Sequence, residues 1–329
     1  MEELNKLKGN VLITGGLGFI GSNLAHSLVD SANVTLFTKS TNKLRNIKEI
    51  QDKVEIIQGD ITDTKKVESI VKDKDHIFHF AGQNDHILSL ENPLLDVDIN
   101  CKGTLNILES ARKFSENANI IFSSTESVVG KIAKLPASED QQENPLSLYE
   151  VHKLTGEKYL YIYNKVYGLN TTTLRFANVF GERQTMKVTN RGILNQMIRR
   201  TFLGEPITVY GDGSFIRDYS YIKNFIDACI LAALSPNTNG EVYMMGSGKG
   251  LSFKDMVTKI NETVKDLTGK STEIKNVPFP ETEKKIDRGD IIIDYSKFNK
   301  ATGWFPKVSF EEGLKRTILF YKDRLDEYL

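Results

Sequence analysis

The chain has little cysteine, no excess of either charge and no long apolar run. Its 329 residues include only two cysteines, Cys101 and Cys229, so no disulfide framework is expected and a reducing, cytoplasmic location is favoured. Basic and acidic residues each number 43, which argues against a nucleic-acid or acidic-membrane partner. The polar start MEELNKLKGN has no signal-peptide pattern, and no apolar run approaches the roughly 20 residues of a membrane helix.

The motifs of several enzyme classes are also missing. The five histidines have no ligand spacing with one another or with the cysteines, so no metal site is expected. There is no Gly-x-Ser-x-Gly elbow and no Walker lysine, which argues against a hydrolase or a phosphotransferase.

Short apolar strands alternating with amphipathic helices fill the first half. The strands are expected at Val11–Ile13, Val34–Phe37, Val54–Ile57, His76–Phe80 and Asn119–Phe122. This alternation predicts an α/β fold, with a Rossmann-like, doubly wound parallel sheet. After Phe176 the rhythm loosens, and we expect a smaller mixed α/β lobe. Residues 1–176 are assigned to the sheet domain, with 218–245 packing back onto it, and residues 177–217 and 246–329 to the smaller lobe.

A glycine-rich turn follows the first strand. Gly15, Gly18 and Gly21 are spaced three apart in the segment TGGLGFIG, which leads into a helix. Glycines let a pyrophosphate approach the backbone, and the helix N-terminus supplies free N–H groups. A tight structural turn would also use glycines, but the position on the first strand of a βαβ unit favours dinucleotide binding.

The end of the second strand bears on the choice of nicotinamide cofactor. The dinucleotide fingerprint expects an acid there to bind the ribose hydroxyls, but this chain has Thr38-Lys39-Ser40, with Lys43 and Arg45 beyond. Lysine and serine can bind a 2′-phosphate that a carboxylate would repel. A solvated basic helix start would explain the same residues. We therefore expect NAD(P) as cofactor, with NADP(H) favoured over NAD(H).

A hydroxyl, a phenol and an ammonium group form the candidate catalytic set. The fifth strand leads into Thr125, and Tyr149 and Lys153 lie one turn apart on a later helix. A nearby ammonium lowers the pKa of tyrosine from about 10 and makes the phenol useful for proton transfer. The same Tyr-x-x-x-Lys spacing occurs twice more, but only Tyr149 follows a hydroxyl-bearing strand end. We therefore predict Thr125, Tyr149 and Lys153 as catalytic.

Nine motifs in order resemble the extended short-chain dehydrogenases that act on nucleotide sugars, in the epimerase/dehydratase group that contains UDP-galactose 4-epimerase. The motifs are TGGLGFIG, GDITD, HFAGQ, DINCKGTLN, FSSTESVVG, YEVHK, LRFANVFG, GDGSFIRDYSYI and GWFP. They span almost the whole chain, and the ordered set is far more specific than any single motif. The resemblance implies a nucleotide-diphosphate sugar as substrate, bound by the smaller lobe.

Together with the residue patterns, the resemblance yields two sets of expected contacts. The cofactor should contact Gly15, Gly18, Phe19, Ile20, Gly21, Thr38, Lys39, Ser40, Asp60, Ile61, Phe80, Ala81, Gly82, Asn100, Ser123, Tyr149, Lys153 and Phe176. The substrate should contact His86, Thr125, Glu126, Asn178, Tyr210, Arg217 and Arg288.

Some of these contacts have an alternative. His86 is read as touching the sugar or as an exposed loop histidine. Arg217 and Arg288 match phosphate- and base-binding positions, but they could instead form salt bridges with Asp218 and Asp290. The resemblance also implies a homodimer, formed by helices at 94–114 and 149–167.

The residues after Thr125 bear on the reaction. In the dehydratases that this chain resembles, an acid and a base follow the threonine as Asp-Glu or a similar doublet. Here the doublet is Glu126-Ser127, and a serine hydroxyl cannot accept a proton near neutral pH. We therefore expect a nucleotide-sugar epimerase acting at carbon 4. The alternatives are a dehydratase or decarboxylase, an NADPH-dependent keto-sugar reductase, and a non-enzymatic redox sensor.

Overall fold

A parallel sheet is the largest element of the computed structural model, which describes residues 7–187, 192–278 and 289–329. From edge to edge its strands are β10 (Glu241–Met245), β6 (Asn170–Phe176), β5 (Asn119–Thr125), β4 (His76–His79), β1 (Asn10–Thr14), β2 (Asn33–Thr38) and β3 (Glu55–Gln58). All neighbouring pairs are parallel, which confirms the predicted Rossmann-like sheet. Strand order reverses between β1 and β4, the position where such sheets bind ligands.

Helices flank this sheet and form much of the second lobe. In chain order they are α1 (Phe19–Leu28), α2 (Thr64–Val71), α3 (His86–Glu91), α4 (Pro93–Val97), α5 (Gly103–Phe114), α6 (Leu148–Tyr167), α7 (Ile193–Leu203), α8 (Ile222–Leu234), α9 (Phe253–Thr268), α10 (Ser296–Thr302), α11 (Phe310–Lys322) and α12 (Leu325–Tyr328). Short 3₁₀ segments occupy Leu44–Lys53, Glu126–Val129 and Pro236–Thr238, and a π turn occupies Asp98–Lys102.

Two hydrophobic clusters pack on opposite faces of the sheet. Successive side chains of a strand point to opposite faces, so Val11 and Ile13 lie in one cluster and Leu12 in the other. The first cluster continues into α1 and α8, and the second into α2, α5 and α6. Burial on both faces explains why these strands read as continuous apolar runs rather than alternating ones.

The second half of the chain adds two small sheets. One contains β11 (Gly250–Ser252), β9 (Ile216–Tyr221) and β7 (Asn178–Phe180), and the other contains β12 (Ile274–Val277) and β8 (Ile207–Tyr210). β10 pairs with β6, so the segment that ends at Met245 returns to the main sheet. Phe176 and Phe225 meet across this junction with ring centroids 4.9 Å apart.

The segment predicted to be helical at 94–114 is helical throughout, but it contains a π turn between α4 and α5. α4 begins with Pro93 after Asn92, whose side chain accepts a hydrogen bond from the N–H of Leu95. The N–H of Gly103 then donates to the carbonyl of Asp98, five residues earlier, and widens the helix by one residue. Within the described ranges, none of the helices has the length and apolar character needed to span a membrane.

Candidate active site

The glycine turn has the backbone geometry that a dinucleotide requires. Gly15 has a φ of +68°, and a Cβ there would lie 3.0 Å from the backbone nitrogen of Ala81. A Cβ on Gly21 would lie 2.5 Å from the carbonyl oxygen of Gly15, so α1 could not pack so closely against the turn. No side chain caps α1, whose N-cap is Gly18. Its first N–H groups can therefore hold a pyrophosphate.

A cleft of about 430 Å³ lies over this turn. It is lined by the predicted cofactor residues of the first three strand ends and of the β4 loop: Gly15, Gly18, Phe19, Ile20, Gly21, Thr38, Lys39, Ser40, Asp60, Ile61, Phe80, Ala81 and Gly82. Arg183, Gln184 and Thr185 also line it, and sequence reasoning did not assign them. They follow the LRFANVFG motif directly, which is the signal that could have identified them.

The ribose end of this cleft carries no acid at the end of β2. Thr38 is buried, and its hydroxyl donates to the carbonyl of Ser40 at 2.9 Å. The ammonium group of Lys39 lies 2.8 Å from a carboxylate oxygen of Asp60, although 68% of the lysine side chain is exposed. Two cations near the predicted 2′-phosphate position, Lys43 and Arg45, line the same cleft.

A second cleft of about 380 Å³ adjoins the first and shares Phe19, Ile20, Phe80 and Gly82 with it. Its other walls contain most of the remaining predicted site residues: His86, Ser123, Thr125, Glu126, Tyr149, Lys153, Phe176 and Asn178. The candidate catalytic groups therefore meet at the carboxyl ends of β5 and β6, beside the space for the dinucleotide.

Tyr149 lies in the first turn of α6. A capping box fixes that turn, because Ser147 accepts from the N–H of Glu150 and the Glu150 carboxylate accepts from the N–H of Ser147. His86 meets the Tyr149 ring edge-on at 4.8 Å between ring centroids. Nδ1 of His86 is also 3.0 Å from Oγ of Ser147. His86, predicted to lie in a loop, is the first residue of α3 and lies in the cleft against the tyrosine.

Lys153 is buried one turn after Tyr149. Burial, the largest influence, lowers the pKa of Lys153 to about 7, against the opposing influence of Glu157, Asp96 and Cys101. Its Nζ lies 3.9 Å from the centre of the Phe122 ring, which stabilises the cation. A lysine in this position can change its protonation state near neutral pH.

Thr125 and the doublet after it form a local hydrogen-bond group. The Thr125 hydroxyl lies 3.0 Å from a carboxylate oxygen of Glu126 and 2.8 Å from the hydroxyl of Ser127. Glu126 and Ser127 are both buried and both line the second cleft. The structure therefore brings a carboxylate and two hydroxyls to one wall of the second cleft.

A buried ion pair supports the floor of this cleft, and the sequence analysis did not predict it. Arg175 of β6 bonds Glu157 of α6 through two nitrogens at 2.6–3.1 Å, and both residues are 2% exposed. Ser124 donates a short hydrogen bond to the same Glu157 carboxylate. The pair thus ties the helix that carries Lys153 to the strand that leads into Thr125.

Asn100 does not line either cleft. It is 2% exposed and lies in the π turn, where its amide nitrogen donates to the carbonyl of Gln83 at 2.9 Å and to Asp96 at 3.1 Å. A Cβ on Gly82 would lie 2.9 Å from the Asn100 side-chain oxygen. Asn100 therefore supports the β4 loop from behind.

Among the described second-lobe residues that are predicted to bind the substrate, Asn178 lines the second cleft, whereas Tyr210 and Arg217 do not. Tyr210 ends β8, where it pairs with Val277, and lines neither of the two clefts. The guanidinium of Arg217 donates to the carbonyl of Gly289 at 2.8 Å and lies over the Phe215 ring. Arg288 lies outside the described residues.

The alternative salt bridge of Arg217 does not form. The carboxylate of Asp218 is buried and accepts hydrogen bonds from the backbone N–H groups of Ser247, Gly248 and Ile293 and from the Ser247 hydroxyl. Asp218 therefore ties three loop positions to β9, and Arg217 points elsewhere.

Comparison with known proteins shows similarity along almost the whole chain. A family profile described as GDP-mannose 4,6 dehydratase matches residues 12–317. A putative UDP-glucose 4-epimerase of Methanocaldococcus jannaschii is 33% identical, over 95% of this chain and 98% of that protein.

Two solved structures share the fold. The UDP-glucose 4-epimerase of Thermotoga maritima with UDP-glucose is 32% identical, with a TM-score of 0.86 over 96% of this chain and 99% of that one. The UDP-glucose 4-epimerase of Thermus thermophilus in complex with NAD is 30% identical, with a TM-score of 0.83 over the same shares of the two chains.

Proposed function

The chain belongs to the extended short-chain dehydrogenase/reductase family, in its group of nucleotide-sugar epimerases and dehydratases, and we propose that it is a UDP-sugar 4-epimerase. It is an enzyme that uses a nicotinamide cofactor. We assign binding of the dinucleotide to residues 1–176, together with 218–245. We assign binding of the nucleotide sugar to residues 177–217 and 246–329.

The catalytic roles follow from the second cleft. Tyr149 takes the proton from the hydroxyl at carbon 4, and the ammonium of Lys153 stabilises the phenolate that this transfer requires. The Thr125 hydroxyl binds the substrate oxygen and orients it toward Tyr149. A nicotinamide held in the first cleft would supply reversible hydride transfer at carbon 4, through a keto sugar. Tyr149 then gives its proton back to the same oxygen.

One observation carries the choice of epimerase over dehydratase: Ser127 occupies the cleft position where a dehydratase needs a base. Its hydroxyl is hydrogen-bonded to Thr125 and cannot accept a proton near neutral pH. Glu126 alone supplies one carboxylate, whereas elimination of water needs an acid and a base together. Epimerisation needs neither, because one tyrosine serves both half-reactions.

For the cofactor, we propose that NADP(H) binds in preference to NAD(H). No carboxylate stands at the end of β2, and Lys39, Ser40 and Lys43 line the cleft there. The Asp60 carboxylate partly neutralises the charge of Lys39, so the preference for NADP(H) is expected to be moderate. The Thermus thermophilus structure contains NAD, and the preference therefore rests on these residues of the chain itself.

We further propose a cytoplasmic homodimer. Val151, Ile162 and Val166 recur along one stripe of α6 and are 39%, 47% and 64% exposed, and Leu94 of α4 is 76% exposed. A second copy with the same stripe would cover these side chains around a two-fold axis. The two cysteines are free thiols, which suits a reducing compartment.

Sedimentation at micromolar concentration tests the dimer. Val166→Glu should convert a dimer into a monomer, because it would bury a charge in the interface. Leu319→Glu is the matched control, since Leu319 is an exposed residue of α11 outside this stripe. A wild-type protein that sediments only as a monomer would refute the proposal.

The function itself is tested with a panel of UDP-, GDP-, CDP- and dTDP-sugars, followed by proton NMR and by the absorbance of the reduced nicotinamide. We expect an isomer of equal mass from a UDP-sugar, without net change in the cofactor. A product lighter by water or carbon dioxide would indicate a dehydratase or decarboxylase. Steady consumption of NADPH would indicate a reductase, and no turnover of any sugar would favour a redox sensor.

A further inference from the structure

A buried aspartate of α4 and a histidine of α6 form a pair next to Lys153, and the proposed reaction does not use them. The Asp96 side chain is fully buried in α4, and one of its oxygens lies 2.5 Å from Nδ1 of His152 on α6. Because an ionised carboxylate only accepts hydrogen bonds, the proton between them belongs to His152. His152 directly precedes Lys153, so the pair lies beside the base of the catalytic lysine.

Asp96 is also the centre of a wider hydrogen-bond group. Its first oxygen accepts from the side-chain amide of Gln83 at 2.7 Å, and its second accepts from Asn100 at 3.1 Å as well as from His152. Gln83 in turn bonds the backbone of Asp85. Three donors from three different segments therefore hold the carboxylate in one place.

The charges around Lys153 show why this placement matters. Among the described residues, four titratable groups other than Tyr149 interact electrostatically with the lysine: Glu157 on its own helix, Asp96 on α4, Cys101 in the π turn and His79 on β4. Burial raises the pKa of the Cys101 thiol to about 11 and lowers the pKa of His79 to about 3, so both are uncharged near neutral pH.

Glu157 and Asp96 are the two remaining anions, and they differ in their partners. The charge of Glu157 is shared with Arg175, which bonds it through two nitrogens. Asp96 has no arginine or lysine within salt-bridge distance among the residues that the structure describes. His152 offsets the charge of Asp96 only when it is protonated. With a neutral His152, the field of Asp96 acts on Lys153 with less cancellation than that of Glu157, and burial removes the water that would otherwise screen it.

We propose that Asp96, held in place by His152, is a positioning residue whose buried carboxylate keeps Lys153 in the ammonium form beside Tyr149. The inference rests on the proposed roles of Tyr149 and Lys153. It extends them to residues that touch neither substrate nor cofactor. His152 orients the carboxylate, and Gln83 links the same carboxylate to the loop that lines both clefts.

The test compares Asp96→Asn with Asp98→Asn, which removes an exposed carboxylate from the neighbouring π turn. The pH dependence of kcat/KM is measured with a sugar active in the panel, and the affinity for NADPH is measured by fluorescence over the same pH range. The ammonium form is lost as pH rises, so both quantities should fall on the alkaline side. Asp96→Asn should move that alkaline midpoint down by about one pH unit, because a nearby opposite charge is removed. Asp98→Asn should leave it in place.

Variants of His152 separate charge from packing. His152→Leu removes the donor and should move the midpoint in the same direction, whereas His152→Gln, whose amide N–H can still reach Asp96, should restore most of it. An unchanged midpoint in either Asp96→Asn or His152→Leu, with only a lower melting temperature, would overturn the proposal. Failure of both variants to fold would likewise show a purely structural role.

Two measurements, NADPH affinity and kcat/KM, distinguish failure of this inference from failure of the proposed function. If no nucleotide sugar is turned over, the epimerase proposal fails, but the pH dependence of NADPH affinity still decides the role of Asp96. If turnover is found and its alkaline limb is the same in Asp96→Asn and Asp98→Asn, only the role of Asp96 fails.

Discussion

The two clefts differ in how their walls are assembled. The walls of the dinucleotide cleft include the ends of β1, β2 and β3 and the loop after β4, and all the predicted residues from Gly15 to Gly82 line it. The sugar side is completed by segments far apart in the chain. Of the residues predicted for it in the second lobe, Asn178 is the one that lines the second cleft within the described ranges. Sheet order places strand ends in a row, whereas loop positions depend on long-range contacts.

The largest effect is expected where the two clefts meet. Tyr149→Phe should lower kcat about a thousandfold, or about 4 kcal/mol, because the proton acceptor is lost while the ring remains. Cofactor affinity, measured by fluorescence titration, should be unchanged. Tyr161→Phe, on an exposed part of the same helix, is the control. Full activity in Tyr149→Phe would contradict the assigned catalytic set and with it the functional difference between the clefts.

The next effect concerns the ion pair beneath the second cleft. Glu157→Gln should lower the free energy of unfolding by about 3 kcal/mol, because it leaves Arg175 as a buried cation with a weakened partner. Glu143→Gln is the control, since Glu143 bonds the same arginine from a more exposed position and should cost less. Chemical denaturation monitored by circular dichroism measures both. Equal stability of wild type and Glu157→Gln would show that the ion pair does not hold the floor together.

A smaller effect tests the dinucleotide side. Lys39→Asp should change the ratio of NADP(H) to NAD(H) affinity by roughly thirtyfold in favour of NAD(H), because a carboxylate repels the 2′-phosphate and accepts from ribose hydroxyls. Lys65→Asp, on the exposed face of α2, makes the same charge change away from the cleft. Titration of each variant with both cofactors gives the ratio. Equal wild-type affinities for the two cofactors would remove the basis for the preference.

The smallest expected effect tests the sugar side, where the sequence was least informative. Arg217→Met should raise KM for the nucleotide sugar about tenfold with little change in kcat, if the guanidinium binds a phosphate. In the structure this group bonds the carbonyl of Gly289. A variant with unchanged KM and a lower melting temperature would therefore assign Arg217 to loop packing. Arg217→Lys keeps the positive charge but removes the planar guanidinium. It therefore tests whether two parallel hydrogen bonds to a phosphate are needed.

The local structures that the sequence predicted depend on neighbouring residues. The strand–turn–helix unit at Gly15 and the first turn of α6 at Tyr149 are each built from neighbouring residues, and their geometry follows from glycine conformation and a capping box. Two features could not be predicted from neighbouring residues. The helix expected at 94–114 contains a π turn, and Asn100 lies behind the cofactor cleft instead of lining it. The π turn adds one residue to a helical turn, and the spacing of apolar residues along the segment does not reveal this insertion.

By itself, the sequence determined the fold class and the family, and it predicted Tyr149 and Lys153 as the catalytic pair. Only the tertiary structure decided the partners that hold them: His152 against Asp96, Arg175 against Glu157 and His86 against Tyr149. Apolar periodicity and glycine turns act over a few residues, so they can be read along the chain. A buried charge finds its partner only when distant segments pack together and exclude the water that would otherwise solvate it.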